Sequence, residues 1–159
     1  MLRLLCTAEF DDGWTEKFRK LVDMDRVGFS LDKDPKKRMG KEQITKALKG
    51  YDIHISGYEK LSEEVLYQCP DLKLILSVRD GPEENIDIQA CTRLGIPVLF
   101  SSGRCERSVP EFTFLAMMMM AKPVLSATHV FRTEKWTEKN DLRLRRINES
   151  STELSGKTV

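Results

Sequence analysis

Histidine and closely spaced cysteine are what this chain has least of. Two histidines and four cysteines stand among 159 residues, and Cys6, Cys69, Cys91 and Cys105 form no Cys-x-x-Cys pair. A zinc site needs several such ligands at close spacing, so no metal centre is expected. The cysteines read as reduced thiols of a cytoplasmic protein. An excess of one charge is lacking too: 26 basic residues face 25 acidic ones. No global field therefore draws the chain to nucleic acid or to an anionic membrane. The longest apolar stretch, residues 112–121, is about half of what a bilayer span needs. Met1-Leu2-Arg3-Leu4-Leu5-Cys6 is apolar and soon followed by acids, which reads as a first strand and not as a signal peptide. A soluble protein is expected.

A hydrophobic share of 40% and a charged share of 32% suit one globular domain with a connecting segment. Short apolar runs alternate with helical patterns, the mark of an α/β fold with a parallel sheet flanked by helices. Strands are expected at residues 2–7, 26–29, 53–56, 72–78 and 96–100, and helices near 14–22, 41–49, 62–69 and 86–94. Pro97 places the last strand at an edge, or its ring at the strand start. Lys33-Asp34-Pro35-Lys36-Lys37-Arg38 reads as a solvated turn, since no aromatic residue interleaves with its charges. Ser108-Val109-Pro110-Glu111 has the spacing of a capping box and predicts a long helix, with Phe112, Leu115 and Met119 on its buried side. Pro123 kinks or restarts that helix. The methionines at 117–120 read as core packing. From Lys139 to Thr152 the chain is polar, as in a surface crossing.

One segment follows the strongest strand signal directly: Ser77-Val78-Arg79-Asp80-Gly81-Pro82-Glu83-Glu84-Asn85-Ile86-Asp87. In an open parallel sheet ligands sit at the carboxyl ends of strands. A glycine turn there exposes backbone N–H groups to an anion, a helix beginning near Ile86 adds its positive end, and Arg79 adds a charge-assisted hydrogen bond. The alternative is an ordinary connection in which Asn85 or Asp87 caps the next helix.

This segment resembles the D-isomer-specific 2-hydroxyacid dehydrogenases. The resemblance rests on Asn85-Ile86-Asp87, on Ala90-Cys91-Thr92-Arg93-Leu94-Gly95-Ile96-Pro97-Val98, on Gly103-Arg104 and on Ser108-Val109-Pro110-Glu111-Phe112-Thr113. It continues through Ala121-Lys122 and Lys135-Trp136 to Glu153-Leu154-Ser155-Gly156-Lys157-Thr158-Val159, which is similar to the entry of that family's nucleotide domain. It implies a flavodoxin-like substrate domain over residues 1–107, a long interdomain helix over 108–133, and a crossing segment at 134–159 that ends as the nucleotide domain begins. It implies hydride transfer between NAD or NADP and a small 2-hydroxy or 2-keto acid. Val78, Arg79, Asp80 and Gly81 become the loop for the substrate carboxylate. Gly103, Arg104, Cys105, Ser108 and Val109 line the cleft toward the cofactor. The family's catalytic histidine, glutamate and arginine would lie past Val159, so this portion carries none of them, binds no cofactor tightly and is expected to be inactive alone. The full-length protein would be a homodimer, and this portion a monomer.

Two positions depart from the family pattern. Asp80 stands where the loop usually has a glycine, and Cys105 where an asparagine follows Gly-Arg. They leave open a second reading, a non-catalytic relative that serves as a nucleotide-sensing or protein-binding platform. A phosphoryl-accepting signalling module, suggested by Glu9, Asp11 and Asp12, is disfavoured. The third and fifth strands lead into Ser56-Gly57-Tyr58 and Ser101-Ser102-Gly103, without the aspartate and lysine that such chemistry needs.

Overall fold

The computed structural model describes residues 1–9, 11–28, 34–133 and 142–158. The chain divides into two compact units, Met1–Arg104 and Cys105–Val159. In the first, β1 (Arg3–Cys6), β2 (Asp23–Arg26), β3 (Ile53–Ser56), β4 (Leu74–Ser77) and β5 (Val98–Phe100) form one sheet. Its order is β2-β1-β3-β4-β5 and every pair is parallel. This is the flavodoxin-like order, which reverses its direction of travel between β1 and β3. Pro97 directly precedes β5, an edge strand, and there it costs the sheet no ladder hydrogen bond.

The crossovers are α1 (Asp12–Arg19), α2 (Lys41–Leu48), α3 (Glu63–Tyr67) and α4 (Ile88–Leu94). The period of two along each strand sorts side chains onto two faces. Leu5, His54, Ile75 and Val98 stand in one register row. Leu5 and Ile75 pack with Ile44, Leu48, Val65, Leu66, Ala90 and Cys91 from α2, α3 and α4. Their neighbours Leu4, Cys6 and Ile55 turn to the other face, where Val22, Met24 and Phe18 meet them. Each fully buried leucine or isoleucine contributes roughly 1.5–3 kcal/mol of transfer free energy, and these rows account for most of the first unit's interior.

The second strand differs from its expected place. The apolar residues suggested 26–29, yet pairing runs Arg3↔Asp23 to Cys6↔Arg26. An edge strand needs only one buried side chain here, Met24, and its neighbours Asp23 and Asp25 are exposed. Acidic residues therefore concealed it, and Phe29 lies outside the described residues.

In the second unit α5 (Ser108–Ala121) is followed by α6 (Val124–Thr133) and α7 (Arg143–Glu149). Lys122 is extended (φ −112°, ψ 127°), as a residue before proline must be, and α5 and α6 are bent by 73° across this break. The expected capping box is not formed. Helical bonding begins a turn earlier, with Val109 N donating to Cys105 O and Glu111 N to Arg107 O, so Ser108 is already helical. Nor does α5 bury the side assigned to it: Phe112 is 72% and Leu115 53% exposed, Met119 is half-buried, and Met120 is exposed. The helix is apolar around most of its circumference, so periodicity defines no single inner face. Part of the polar stretch expected as a surface crossing is helical, in α7, while Lys139 and Asn140 lie outside the described residues. Among the described residues no single helix is long and apolar enough to cross a membrane. Lys135 and Trp136 also lie outside them.

One glycine sets the packing of two strand ends. A Cβ on Gly57 would stand 3.0 Å from both Ala8 Cα and Thr7 O, backbone atoms that cannot swing away. Gly57→Ala is therefore expected to lower stability by about 1–3 kcal/mol, read as a lowered midpoint in urea denaturation with an unchanged slope.

Candidate functional site

Thr7, Ser56 and Ser77 end or follow three adjacent strands, and all three are buried. Around them lies a polar cluster at the carboxyl edge of the sheet. Glu59, 1% exposed, accepts from Thr7 Oγ1 at 2.7 Å and from Tyr58 N at 3.2 Å, both on Oε2. Thr7 Oγ1 in turn accepts from Gly57 N at 3.3 Å. Asn85 sends its amide Nδ2 to Ser56 Oγ at 3.3 Å and Glu59 O at 3.0 Å. Leu61 N donates to Asn85 O, and Asp87 N to Leu61 O, so the loops after β3 and β4 are laced together. Among the described residues Glu59 Oε1 and Asn85 Oδ1 have no hydrogen-bond partner.

The loop after β4 is built on this base. Val78 is half-buried and packs against the second hydrophobic cluster, with its N donating to Ser56 O at 3.3 Å. Arg79 N donates to Ser77 Oγ at 3.2 Å, and its guanidinium stands 5.7 Å from the centre of the Tyr58 ring. Asp80 Oδ1 accepts from Gly103 N at 2.8 Å. Gly103 has φ +76°, a left-handed backbone that a side chain would strain. A single carboxylate thus joins the loop after β4 to the turn after β5. Gly81 precedes a short 3₁₀ turn, Pro82–Glu84, and Asp87 caps α4 by accepting from Ala90 N at 2.9 Å. The helix expected to begin near Ile86 begins at Ile88, and a side chain already occupies its N-terminus.

The acids of this loop gather elsewhere. Asp80 and Glu83 line a cavity of about 350 Å³ with Pro82, Ile88, Val98 and Phe100. The two acids among the lining residues disfavour an anion there, while the Arg79 guanidinium lies near the Tyr58 ring. Arg104 is exposed at the end of the first unit. Cys105, Ser108 and Val109 fall in the second: Cys105 is a half-buried free thiol, and Ser108 Oγ donates to Cys105 O at 3.5 Å. Of the residues singled out in the sequence, the first unit brings Val78, Arg79, Asp80, Gly81 and Gly103 together.

Glu59, Thr7 and Tyr58 were not among them. The available signal was a hydroxyl residue closing each of three strand patterns, Cys6-Thr7, Ile55-Ser56 and Leu76-Ser77. His54 is fully buried, with Nδ1 3.1 Å from Leu5 O. His129 is exposed on α6.

A parallel five-stranded sheet in the order β2-β1-β3-β4-β5 with flanking helices defines an α/β domain of flavodoxin-like topology. The chain belongs to the D-isomer specific 2-hydroxyacid dehydrogenase family, whose catalytic-domain model matches residues 14–155. It is 28% identical over 93 residues to a glyoxylate reductase of Aeropyrum pernix, covering 58% of this chain and 28% of that protein. It is 28% identical over 130 residues to a D-3-phosphoglycerate dehydrogenase of Archaeoglobus fulgidus, covering 81% of this chain and 23% of the relative. The chain therefore spans about a quarter of the length of these relatives. Its fold is like that of a D-lactate dehydrogenase from Aquifex aeolicus complexed with NAD and lactic acid. That likeness has a TM-score of 0.64 at 22% identity and covers 87% of this chain and 39% of the other.

Two outcomes follow from the site's electrostatics. Asp80→Ala removes the acceptor of the Gly103 amide, so that amide should exchange its hydrogen at least ten-fold faster while the core amides keep their protection. Burial pushes the His54 imidazole down from 6.5 to about 4, against the Leu5 carbonyl and Glu59, which favour the cation. Between these values the unfolded chain binds the extra proton and the folded one does not. Stability is therefore full above pH 6.5 and falls as pH drops toward 4, by on the order of 3 kcal/mol in all. Urea denaturation at a series of pH values reads this slope, and His54→Gln should flatten it.

Proposed function

We propose that this chain is the substrate-binding part of an oxidoreductase that interconverts 2-hydroxy and 2-keto acids by hydride transfer to or from NAD or NADP. The observation that carries this reading is Arg79, held at the carboxyl end of β4 in a loop whose neighbour Asp80 is bonded to Gly103 N. The guanidinium takes the substrate carboxylate, with the backbone of Val78 to Gly81 beside it. Spending the Asp80 charge on a backbone amide answers the objection that an acid stands in a carboxylate loop.

In this reading residues 1–107 are the substrate domain, 108–133 the interdomain helix and 134–159 the approach to a nucleotide domain. Gly103, Arg104, Cys105, Ser108 and Val109 face the cofactor side. The relatives' names support the reaction class, glyoxylate reduction and lactate oxidation being two instances of it. The nine glycines of the sequence contain no Gly-x-Gly-x-x-Gly, so the chain offers no turn of the kind that cradles a dinucleotide pyrophosphate. No step is therefore assigned to the cofactor here. In this reading proton transfer falls to groups outside this chain, with His54 buried in the sheet and His129 exposed on α6. The chain would be cytoplasmic, monomeric alone and dimeric within the whole enzyme.

Two arms test the proposal. The pure 159-residue chain should consume no NADH with glyoxylate, pyruvate or phosphohydroxypyruvate, and turnover would overturn the assignment of the catalytic groups elsewhere. Joined to a nucleotide-binding domain of this family, it should turn over at least one of these acids. Arg79→Gln should then lower kcat/KM by about a hundred-fold, the loss of one charge-assisted hydrogen bond left without a partner. Cofactor binding without turnover of any 2-keto acid would favour the binding-platform reading.

A further inference from the structure

Two Asp-Gly pairs occur in the sequence, Asp12-Gly13 and Asp80-Gly81. Such a pair is chemically labile in water. The backbone nitrogen of the glycine attacks the aspartate side-chain carboxyl and closes a five-membered succinimide ring, because no Cβ shields that nitrogen. The fold puts the two pairs in opposite settings. Asp12 opens α1, and its Oδ1 accepts from Arg26 Nη1 at 2.5 Å. A helical backbone, with ψ of roughly −42°, keeps the following nitrogen turned away from the side chain. Asp80 and Gly81 lie instead between β4 and the 3₁₀ turn Pro82–Glu84, outside any helix or strand. Asp80 is exposed, and the Gly81 N–H has no hydrogen-bond partner among the described residues. One further donor is already in place: Gly103 N bonds Asp80 Oδ1 at 2.8 Å.

We propose that Asp80-Gly81 is a site of covalent self-modification, at which Asp80 isomerises to isoaspartate with the Gly103 amide as activating group. The first step forms a bond between Gly81 N and Asp80 Cγ and breaks the bond from Cγ to Oδ2. The carboxyl reacts in its acid form. The amide proton of Gly81 passes through solvent to Oδ2, which leaves as water. Oδ1 remains as a carbonyl oxygen of the ring. It carries the negative charge that develops during the addition, and the Gly103 N–H stabilises that charge as an oxyanion-hole donor does. Water then opens the ring. Attack at the main-chain carbonyl carbon of Asp80 breaks its bond to Gly81 N and gives isoaspartate, while attack at Cγ restores aspartate. One water leaves and one returns, so no oxidant, reductant or cofactor is consumed and the mass is unchanged. In the product the main chain runs through Cβ and Cγ of residue 80 and is longer by one methylene. Oδ1 becomes a main-chain oxygen, and the α-carboxylate is left as the side group. The loop from Val78 to Gly81 is thereby lengthened next to Arg79. On the function proposed above this weakens the hold on a substrate carboxylate, but the modification itself does not depend on that reading.

The test incubates the pure 159-residue chain at neutral pH and physiological temperature for several weeks, folded and in urea. Cleavage after glutamate then releases residues 65–83, which hold Asp80, and residues 10–16, which hold Asp12. Electron-transfer fragmentation tells isoaspartate from aspartate and fixes its position in each peptide. In the folded chain isoaspartate should accumulate at Asp80 at least about ten-fold faster than at Asp12, whose helical turn must first open. In urea that preference should disappear. Asp80→Glu, whose longer side chain would have to close a less favoured six-membered ring, should abolish the signal at position 80. Gly81→Ala should slow it by about ten-fold by shielding the nitrogen. Gly81 has φ −111°, and an added Cβ would meet only the flexible end of the Glu83 side chain at 3.2 Å, so the fold accommodates that variant. Absence of isoaspartate at Asp80 in the folded chain overturns the proposal, as do equal folded-chain rates at Asp80 and Asp12. A folded-chain rate at Asp80 more than about ten-fold below the rate in urea overturns the activation by Gly103.

Discussion

Glu59 carries a carboxyl group with almost no access to solvent, and the carboxyl edge of the sheet is arranged around it. Burying a carboxylate is costly unless donors replace its water, and two such donors are supplied by Thr7 and by the backbone of Tyr58. Those two groups belong to the ends of β1 and β3, the strands between which the order of the sheet reverses. The amide of Asn85 then binds the Glu59 carbonyl and brings in the connection after β4. The buried acid therefore ties the end of β1 to the loop after β3, and Asn85 with the backbone of Leu61 and Asp87 joins that loop to the one after β4. Tyr58 is its immediate neighbour, and the Arg79 guanidinium lies 5.7 Å from the centre of that ring.

The sheet was legible because buried parallel strands announce themselves. Leu74 to Ser77 and Ile53 to Ser56 are short apolar runs with a polar residue where each ends, and both stand where the pattern put them. β2 was misplaced because an edge strand with acids on its open positions has no apolar run to read, only Met24. The capping box at Ser108 failed for a different reason. Spacing identifies a pair of residues that can cap, but where helical bonding starts depends on the preceding carbonyls, and here Cys105 and Arg107 supply them. The buried face of α5 was illegible because its composition is apolar on nearly every side.

The site divides in the same way. The loop from Val78 to Gly81 was visible through its glycine, its arginine and its position after a strong strand. The Glu59 cluster was not, since glutamate in a turn reads as solvated surface. Its burial arises from contacts across the sheet: Thr7 lies 52 positions away in sequence. Long-range pairings of this kind leave only a faint local trace, here the hydroxyl residue at each strand end.

Asp80 is the residue that departs from the family's glycine in this loop, and its geometry shows where its charge goes. An acid next to an anion site is adverse only while its charge is directed at the anion. Here the charge faces the amide of Gly103, whose left-handed backbone turns the N–H toward it, and the bond joins two loops at the rim of the sheet. A glycine at position 80 would leave the turn after β5 without that tie. The departure from the family pattern therefore exchanges an unobstructed loop for a braced one. Its electrostatic consequence is a separation of charge within two residues: the Asp80 carboxylate toward the Gly103 amide, the Arg79 guanidinium toward Tyr58. A chain of nearly zero net charge can in this way hold opposite charges apart along one edge of its sheet.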